Sequence, residues 1–266
     1  MRGVVGLREL TKEKYNSIKT LFVESFCPTF VYAILEQTIP GVVYTDDQTS
    51  PRSFFIGTES GIYFIAGEEE NQVFNDFIAE YYEKQAKSTK RFTLFSANDT
   101  WDQILKTILK DDLNQMKRVA FSFQQKPSNT TLELPKELEL KRIDEDIIAN
   151  STEFNSAYYK EYWNSASHFL GKGFGFAVLH GNHVLSECTS IFLGNNRAEM
   201  DIYTLEEYRG TGLAYCVGSK FIEFCLGNGM IPSWDCDVCN NSSMTLAVKL
   251  GFKPVTGYSI YFSGSS

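Results

Sequence analysis

Apolar positions change their period along this chain, and each change marks an element. Residues 53–66 run apolar on both sides of Ser60-Gly61, which predicts a hairpin, and residues 71–87 repeat apolar side chains at helical spacing. Residues 9–22 also carry a helical pattern, and residues 91–96 and 119–123 read as strands flanking a helix over 101–109. Further on, residues 138–143 form a strand and the polar, aromatic stretch 144–169 forms helices and a loop. Residues 174–180 and 183–192 make a hairpin around Gly181-Asn182, a pair suited to positive φ. In the strand 197–204, Met200 and Ile202 face one way and Glu199, Asp201 and Tyr203 the other.

Directly after that strand, Leu213, Ala214, Val217, Phe221, Phe224 and Cys225 recur at helical spacing until Gly227 and Gly229 stop the helix. A strand follows over 231–238. Asn241 or Ser242 can cap a second helix whose apolar face is Met244, Ala247, Val248 and Leu250, ended by Gly251, and residues 257–262 make a last strand. Strands alternating with helices specify an α/β or α+β fold in which helices pack on a mixed sheet.

Two domains are expected, since 266 residues exceed the roughly 150 typical of one. The stretch 126–137, KPSNTTLELPKE, has the prolines and polar run of a linker, which divides the chain into domains 1–127 and 128–266. Residues 62–123 and 199–262 both read strand, helix, strand, helix, strand, so the first half has the form of a decayed copy of the second.

Charge narrows the partners. A formal net charge of −8 argues against unaided binding of nucleic acid, which needs a positive field, and favours a cationic or amine-bearing partner. No apolar run approaches the roughly 18 residues of a membrane span, so the expected location is cytoplasmic and membrane partners are not expected. The six cysteines are scattered as in a reduced protein; Cys236 and Cys239 form a C-x-x-C pair with no second pair or His cluster to complete a zinc site, so no metal is expected.

The chemistry-bearing segment is MDIYTLEEYRGTGLA, residues 200–214, which runs from strand through turn into helix. Gly210 and Gly212 let backbone N–H groups approach a ligand, and the first turn of the helix leaves donors unpaired at a positive dipole end. Such a turn binds anions. Arg209 adds a fixed positive charge and Thr211 a hydroxyl able to donate to phosphate. There is no G-x-x-x-x-G-K-[ST] string, and the third spaced glycine of a dinucleotide fingerprint is missing.

Arg209, Gly212 and Ala214 match the [QR]-x-x-G-x-[GA] signature of the GNAT superfamily, which this segment resembles. Downstream, Asn240, Ser243, Leu246, Gly251 and Phe252 resemble the family's last main helix, preceded by Asn and closed by L-G-F. The resemblance implies a GNAT-type mixed β-sheet flanked by helices over about 138–264; residues 1–125 carry no family motif, and only the repeated order of elements makes the first half a degenerate GNAT-like domain. It implies N-acetyl transfer from acetyl-CoA to an amine acceptor, a small molecule or a protein amine. Residues implied for acetyl-CoA are Ile202, Tyr203, Thr204, Arg209, Gly210, Thr211, Gly212, Leu213, Ala214 and Asn240.

An ammonium must lose a proton before attack, and Glu199 and Asp201, sharing a strand face, are the leading bases, with Glu187 in reserve. Many family members place a Tyr acid seven residues after the Asn, where this chain has Ala247; Tyr258, Cys239 and water are the substitutes, with Tyr203 a weaker one. That departure keeps open a non-catalytic, acyl-CoA-binding or regulatory protein of the same fold. The N-terminal turn Gly67-Glu68-Glu69-Glu70-Asn71 carries three carboxylates and is expected to repel phosphate.

Overall fold

The computed structural model describes residues 7–22, 26–87, 91–109, 113–125 and 134–263. It divides into two compact units: Met1–Arg118 with Gly257–Ser266, and Val119–Thr256. The linker expected over 126–137 lies outside the described residues as far as residue 133.

In the first unit, β1 (Arg8–Glu9), β2 (Gly41–Thr45), β3 (Ser53–Thr58) and β4 (Ile62–Gly67) pair antiparallel in succession, and β4 then pairs parallel with β5 (Thr93–Ser96). The expected hairpin is β3–β4. Every residue of β3 is buried, which explains an apolar run in place of alternation: both sheet faces are covered. Helices α1 (Tyr15–Ile18), α2 (Thr29–Leu35), α3 (Gln72–Lys87) and α4 (Asp99–Ile108) accompany the sheet. Residues 9–22, expected as one helix, are instead two 3-10 turns, Lys12–Lys14 and Lys19–Phe22, on either side of α1. The core gathers Phe55, Tyr63, Phe74, Phe92 and Trp101.

The β4–α3 turn depends on Gly67, which has φ +97° and comes so close to the Arg52 carbonyl that an added Cβ would sit 1.9 Å from its oxygen. Gly67→Ala combines left-handed strain with a backbone collision, which cannot be relieved by a rotamer change. A loss of roughly 1–3 kcal/mol is expected in urea unfolding, and an unchanged midpoint would remove this account of the turn.

The second unit repeats the scheme. Strands β7 (Leu138–Arg142), β8 (Gly175–His180), β9 (His183–Gly194) and β10 (Arg197–Thr204) pair antiparallel in succession, and β10 pairs parallel with β11 (Ile231–Asp237). This shared order fits the repeat read in residues 62–123 and 199–262. The strand beyond β5 in the first unit is the 257–262 part of β12 (Phe252–Phe262), and the strand beyond β11 in the second is the 119–123 part of β6 (Asn114–Phe123). The first unit is therefore completed by the C-terminal segment of the chain, whereas the second is one continuous stretch, 119–256.

Helices α5 (Glu145–Asn150), α6 (Ser156–Trp163) and α7 (Ala166–Lys172) lie between β7 and β8 in the chain, each capped at its N-terminus by a side chain: Asp144, Asn155 and Ser165. Helix α8 (Leu213–Gly227) packs on β8, β9, β10 and β11. It buries Leu213, Val217, Phe221 and Cys225 in one cluster with Phe174, Met200 and Trp234, the face that its spacing announces. Helix α9 (Asn241–Lys249) leads into β12.

Candidate functional site

The anion turn sits where β10 hands over to α8. Gly210 has φ +79° and Gly212 φ +93°; Gly212 is the N-cap of α8 and no side chain caps the helix there. The first intrahelical bond runs from Cys216 N to Gly212 O at 3.1 Å, so the N–H groups of Leu213 and Ala214 at the start of α8 lack helical carbonyls. A cleft of about 490 Å³ opens on this corner, lined on one side by Thr204, Tyr208, Arg209, Gly210 and the start of α8, and on the other by Asn241, Ser242, Thr245, Leu246 and Lys249 of α9.

Arg209 and Lys249 are cations, and no carboxylate lines the cleft, although the chain as a whole carries −8. Arg209 Nε donates to the Thr204 carbonyl at 3.4 Å, which draws the guanidinium stem across the cleft mouth. Unpaired helix N–H groups, two cations and two left-handed glycines are the donor set that a pyrophosphate requires. Acetyl-CoA fits this cleft on that ground.

Several expected ligand residues take other places. Thr211 Oγ1 donates to the Tyr208 carbonyl at 2.6 Å, so the hydroxyl expected to meet phosphate closes its own turn. Asn240 caps α9, its Oδ1 accepting from Ser243 N at 3.0 Å, and does not line the cleft. Ala247, at the position where the resemblance led us to expect a Tyr, is completely buried in the core. Tyr258 belongs to the first unit: its hydroxyl accepts from Arg118 Nε at 3.0 Å and its ring stacks on Phe26 and Phe95.

Beside the turn, β10 and β11 part company. Their parallel ladder ends at Glu199 opposite Ser233, although β10 continues to Thr204 and β11 to Asp237. Leu205 N bonds Leu185 O at 2.9 Å, and this register turns the peptide groups of Tyr203 and Asp201 toward β9 as well. The N–H groups of Ile202 and Thr204 consequently point into the gap, whereas the Tyr203 N–H does not.

The opposite sheet face carries the acid–base groups. Glu187 faces Tyr203 and Thr189 faces Asp201; beyond a bulge between Glu199 and Met200, Phe192 faces Glu199. Helix α6 covers this face. Tyr158 Oη donates to Asp201 Oδ2 at 2.8 Å, Tyr159 Oη lies 3.1 Å from Thr189 Oγ1, and the Tyr162 ring meets Phe192 edge-on. Burial first, then the Asp201 charge, pushes the Tyr158 phenol well above its ordinary range, so it stays a donor.

Glu187 is 2% exposed, and burial raises its carboxyl from the ordinary 4.5 to about 7 against hydrogen bonds from Ser151 and the Phe154 backbone. Sequence reasoning ranked it below Glu199 and Asp201 because burial within β9 cannot be read from alternation alone. Tyr215, Asn241, Ser242, Thr245 and Lys249 were missed altogether. For the α9 residues the signal was present: Asn241, Ser242, Thr245 and Lys249 recur at helical spacing on the face opposite Ala247.

Among the described residues no group of three or more His, Cys, Asp or Glu side chains is placed to hold a metal ion; Cys236 is buried, Cys239 exposed, and both are free thiols. No described helix is long and apolar enough to cross a membrane.

A family model described as GNAT acetyltransferase matches residues 19–261. The uncharacterized N-acetyltransferase YdfB of Bacillus subtilis (strain 168) is 74% identical over 258 residues, covering 97% of this chain and 99% of that protein. A GCN5-related N-acetyltransferase-like protein from Streptococcus suis 89/1591 superposes with a TM-score of 0.70 at 26% identity, covering 94% of this chain and 98% of the other. A tandem GNAT protein from the clavulanic acid biosynthesis pathway matches in fold, with a TM-score of 0.67 at 12% identity over 98% of this chain and 100% of its own.

Proposed function

This chain belongs to the GNAT acetyltransferase family, and we propose that it transfers an acetyl group from acetyl-CoA to an amine acceptor at the β10–α8 corner of the second unit. The observation that carries the reading is the cleft itself: open helix N–H groups between Arg209 and Lys249, next to a strand gap that holds further N–H groups.

Pyrophosphate oxygens would accept from the N–H groups of Leu213 and Ala214, with Arg209 and Lys249 balancing their charge. The thioester oxygen would accept from Ile202 or Thr204 N–H as negative charge develops there, a preorganised arrangement that needs no rearrangement during the step. The amine must arrive unprotonated, and the carboxylates of the opposite face, Glu199, Asp201 and Glu187, are the groups to hold its proton. Burial of Ala247 leaves no acid at that position. A thiol with a reference pKa near 8.5 is a good enough leaving group to depart as thiolate.

Among the described residues the first unit offers no second site of this kind at its β4–α3 turn. Its corresponding turn fills itself: Asn71 Oδ1 caps Phe74 N at 3.2 Å, Glu68 pairs with Arg52 at 3.2 Å, and Glu69 accepts from Asn98 at 2.9 Å.

Titration calorimetry with acetyl-CoA tests the reading. One equivalent should bind, with affinity weakening as salt rises because two cations and a helix terminus share the phosphates. No heat and no rise in melting temperature at high ligand excess would sink it.

A further inference from the structure

We infer that Glu187 and Asp201 form the seat of the acceptor's amino group, that Glu187 takes its proton, and that the acceptor is a cationic aliphatic primary amine. The inference rests on the acetyl-transfer reading above and adds the class of substrate and the base.

Placement comes first. Glu187 on β9 and Asp201 on β10 are diagonal neighbours on one face of an antiparallel pair, because Glu187 faces Tyr203 and Asp201 faces Thr189. Asp201 Oδ2 already accepts from Tyr158. Glu187 Oε1 accepts from Ser151 Oγ at 2.6 Å, and Ser151 Oγ is itself fixed by Phe154 N at 2.8 Å. The other oxygen, Oε2, is buried with no hydrogen-bond partner.

A buried acceptor left unpaired is costly and survives in native proteins where a proton or a ligand completes it. One Glu187 oxygen is therefore locked and the other held in reserve. The groups facing it are Tyr203 and Asp201 from β10, Ala177 from β8, Ser151 and Glu153 after α5, and Tyr159 from α6. The charges acting on Glu187 are those of Glu153 and Asp201, both negative.

Such surroundings attract an ammonium and repel an anionic acceptor. Tyr158, bonded to Asp201, has the tilted rings of Phe154 and Tyr162 at 4.6 and 4.8 Å, a cluster that supplies aromatic surface for a cation and its aliphatic chain. In the reaction the ammonium gives one proton to Glu187 Oε2. The freed lone pair forms the C–N bond at the thioester carbonyl, the C–S bond breaks and its electron pair leaves on sulfur. The second proton, shed by the amide nitrogen, ends on the thiolate, and Glu187 returns its proton to solvent.

The experiment measures CoA thiol release by the full chain with 1,4-diaminobutane, phenethylamine and glutamate as acceptors, from pH 5.5 to 9, alongside calorimetry with acetyl-CoA. Turnover is expected with the cationic amines and not with glutamate. The rate should rise with pH through about 7, since the base is the ionised carboxylate. Glu187→Gln should lower kcat/KM about 100-fold or more and abolish that limb, with acetyl-CoA affinity within twofold of the original. Ser151→Ala removes a bond that favours the carboxylate and should move the limb to higher pH.

Infrared spectra give a readout without turnover: a protonated-carboxyl band should fade as pH passes 7 and be missing from Glu187→Gln. Acetyl-CoA bound normally while Glu187→Gln keeps the limb, while the band does not titrate, or while the cationic amines stay idle, overturns this assignment and leaves the transferase reading standing. A chain that binds no acetyl-CoA overturns both.

Discussion

Acetyl-CoA binding is expected to fall below detection in Gly212→Glu, a loss of at least about 1000-fold. Gly212 sits at φ +93°, a conformation that costs a residue with a Cβ roughly 1–2 kcal/mol. Strain alone would weaken the site by about tenfold, and Gly212→Ala should show that smaller effect. The carboxylate adds two further terms of the same sign. It is placed to cap the N–H groups of α8 that the pyrophosphate needs, and it repels phosphate from a cleft whose charges are Arg209 and Lys249. The first unit carries the same features at its own turn, where Asn71 caps α3 and Glu68, Glu69 and Glu70 are adjacent in sequence. Because carboxylates stabilise helix N-termini, the variant should fold at least as well as Gly212→Ala. Calorimetric affinity within tenfold of the original would contradict the cleft as the pyrophosphate site.

How much of this was legible depended on whether a residue's role is decided locally. The strand, turn and helix over 197–227 were readable because alternation, two glycines and a helical period follow one another without interruption, and the cleft formed there. Helix α2 was not readable: in TFVYAIL every residue after Thr29 is apolar or aromatic and the whole segment is buried, so no period exists to distinguish helix from strand. Tyr258 looked available for the site because the sequence runs on from α9. Residues 257–262 instead pair with β5, a partner more than 150 positions away that no local pattern can announce. Asn240 and Thr211 show a different limit. Both are polar residues at the expected corner, but each spends its side chain on the backbone, the common fate of Asn and Thr at helix starts and turns. Glu187 was undervalued because a carboxylate in a strand is ordinarily solvated; only packing by α5 and α6 makes it a buried group that titrates near neutrality.

Phe221→Ala is expected to destabilise the second unit by roughly 3–5 kcal/mol and, through that loss, to weaken acetyl-CoA binding at the proposed site, although Phe221 lies about two turns beyond the first residue of α8. The ring is completely buried and stacks on Phe174 at 4.6 Å, in the cluster that fixes α8 against β8 and β10. Leu213 and Val217, on the same face, carry the first turn of the helix into that cluster, so the direction of the open N–H groups is set by core packing. Truncation leaves a cavity the size of a ring, and neighbouring side chains relax only partly into it. With total stability of about 5–15 kcal/mol for a domain, the loss removes much of the margin. Hydrogen exchange at α8 amides should accelerate by orders of magnitude, and saturating acetyl-CoA should restore part of the protection, since ligand bound to the folded state stabilises it in proportion to its excess. Slow exchange in α8 together with unchanged affinity would mean that the turn holds its shape independently of the core, and the link drawn here between Phe221 and the cleft would be wrong.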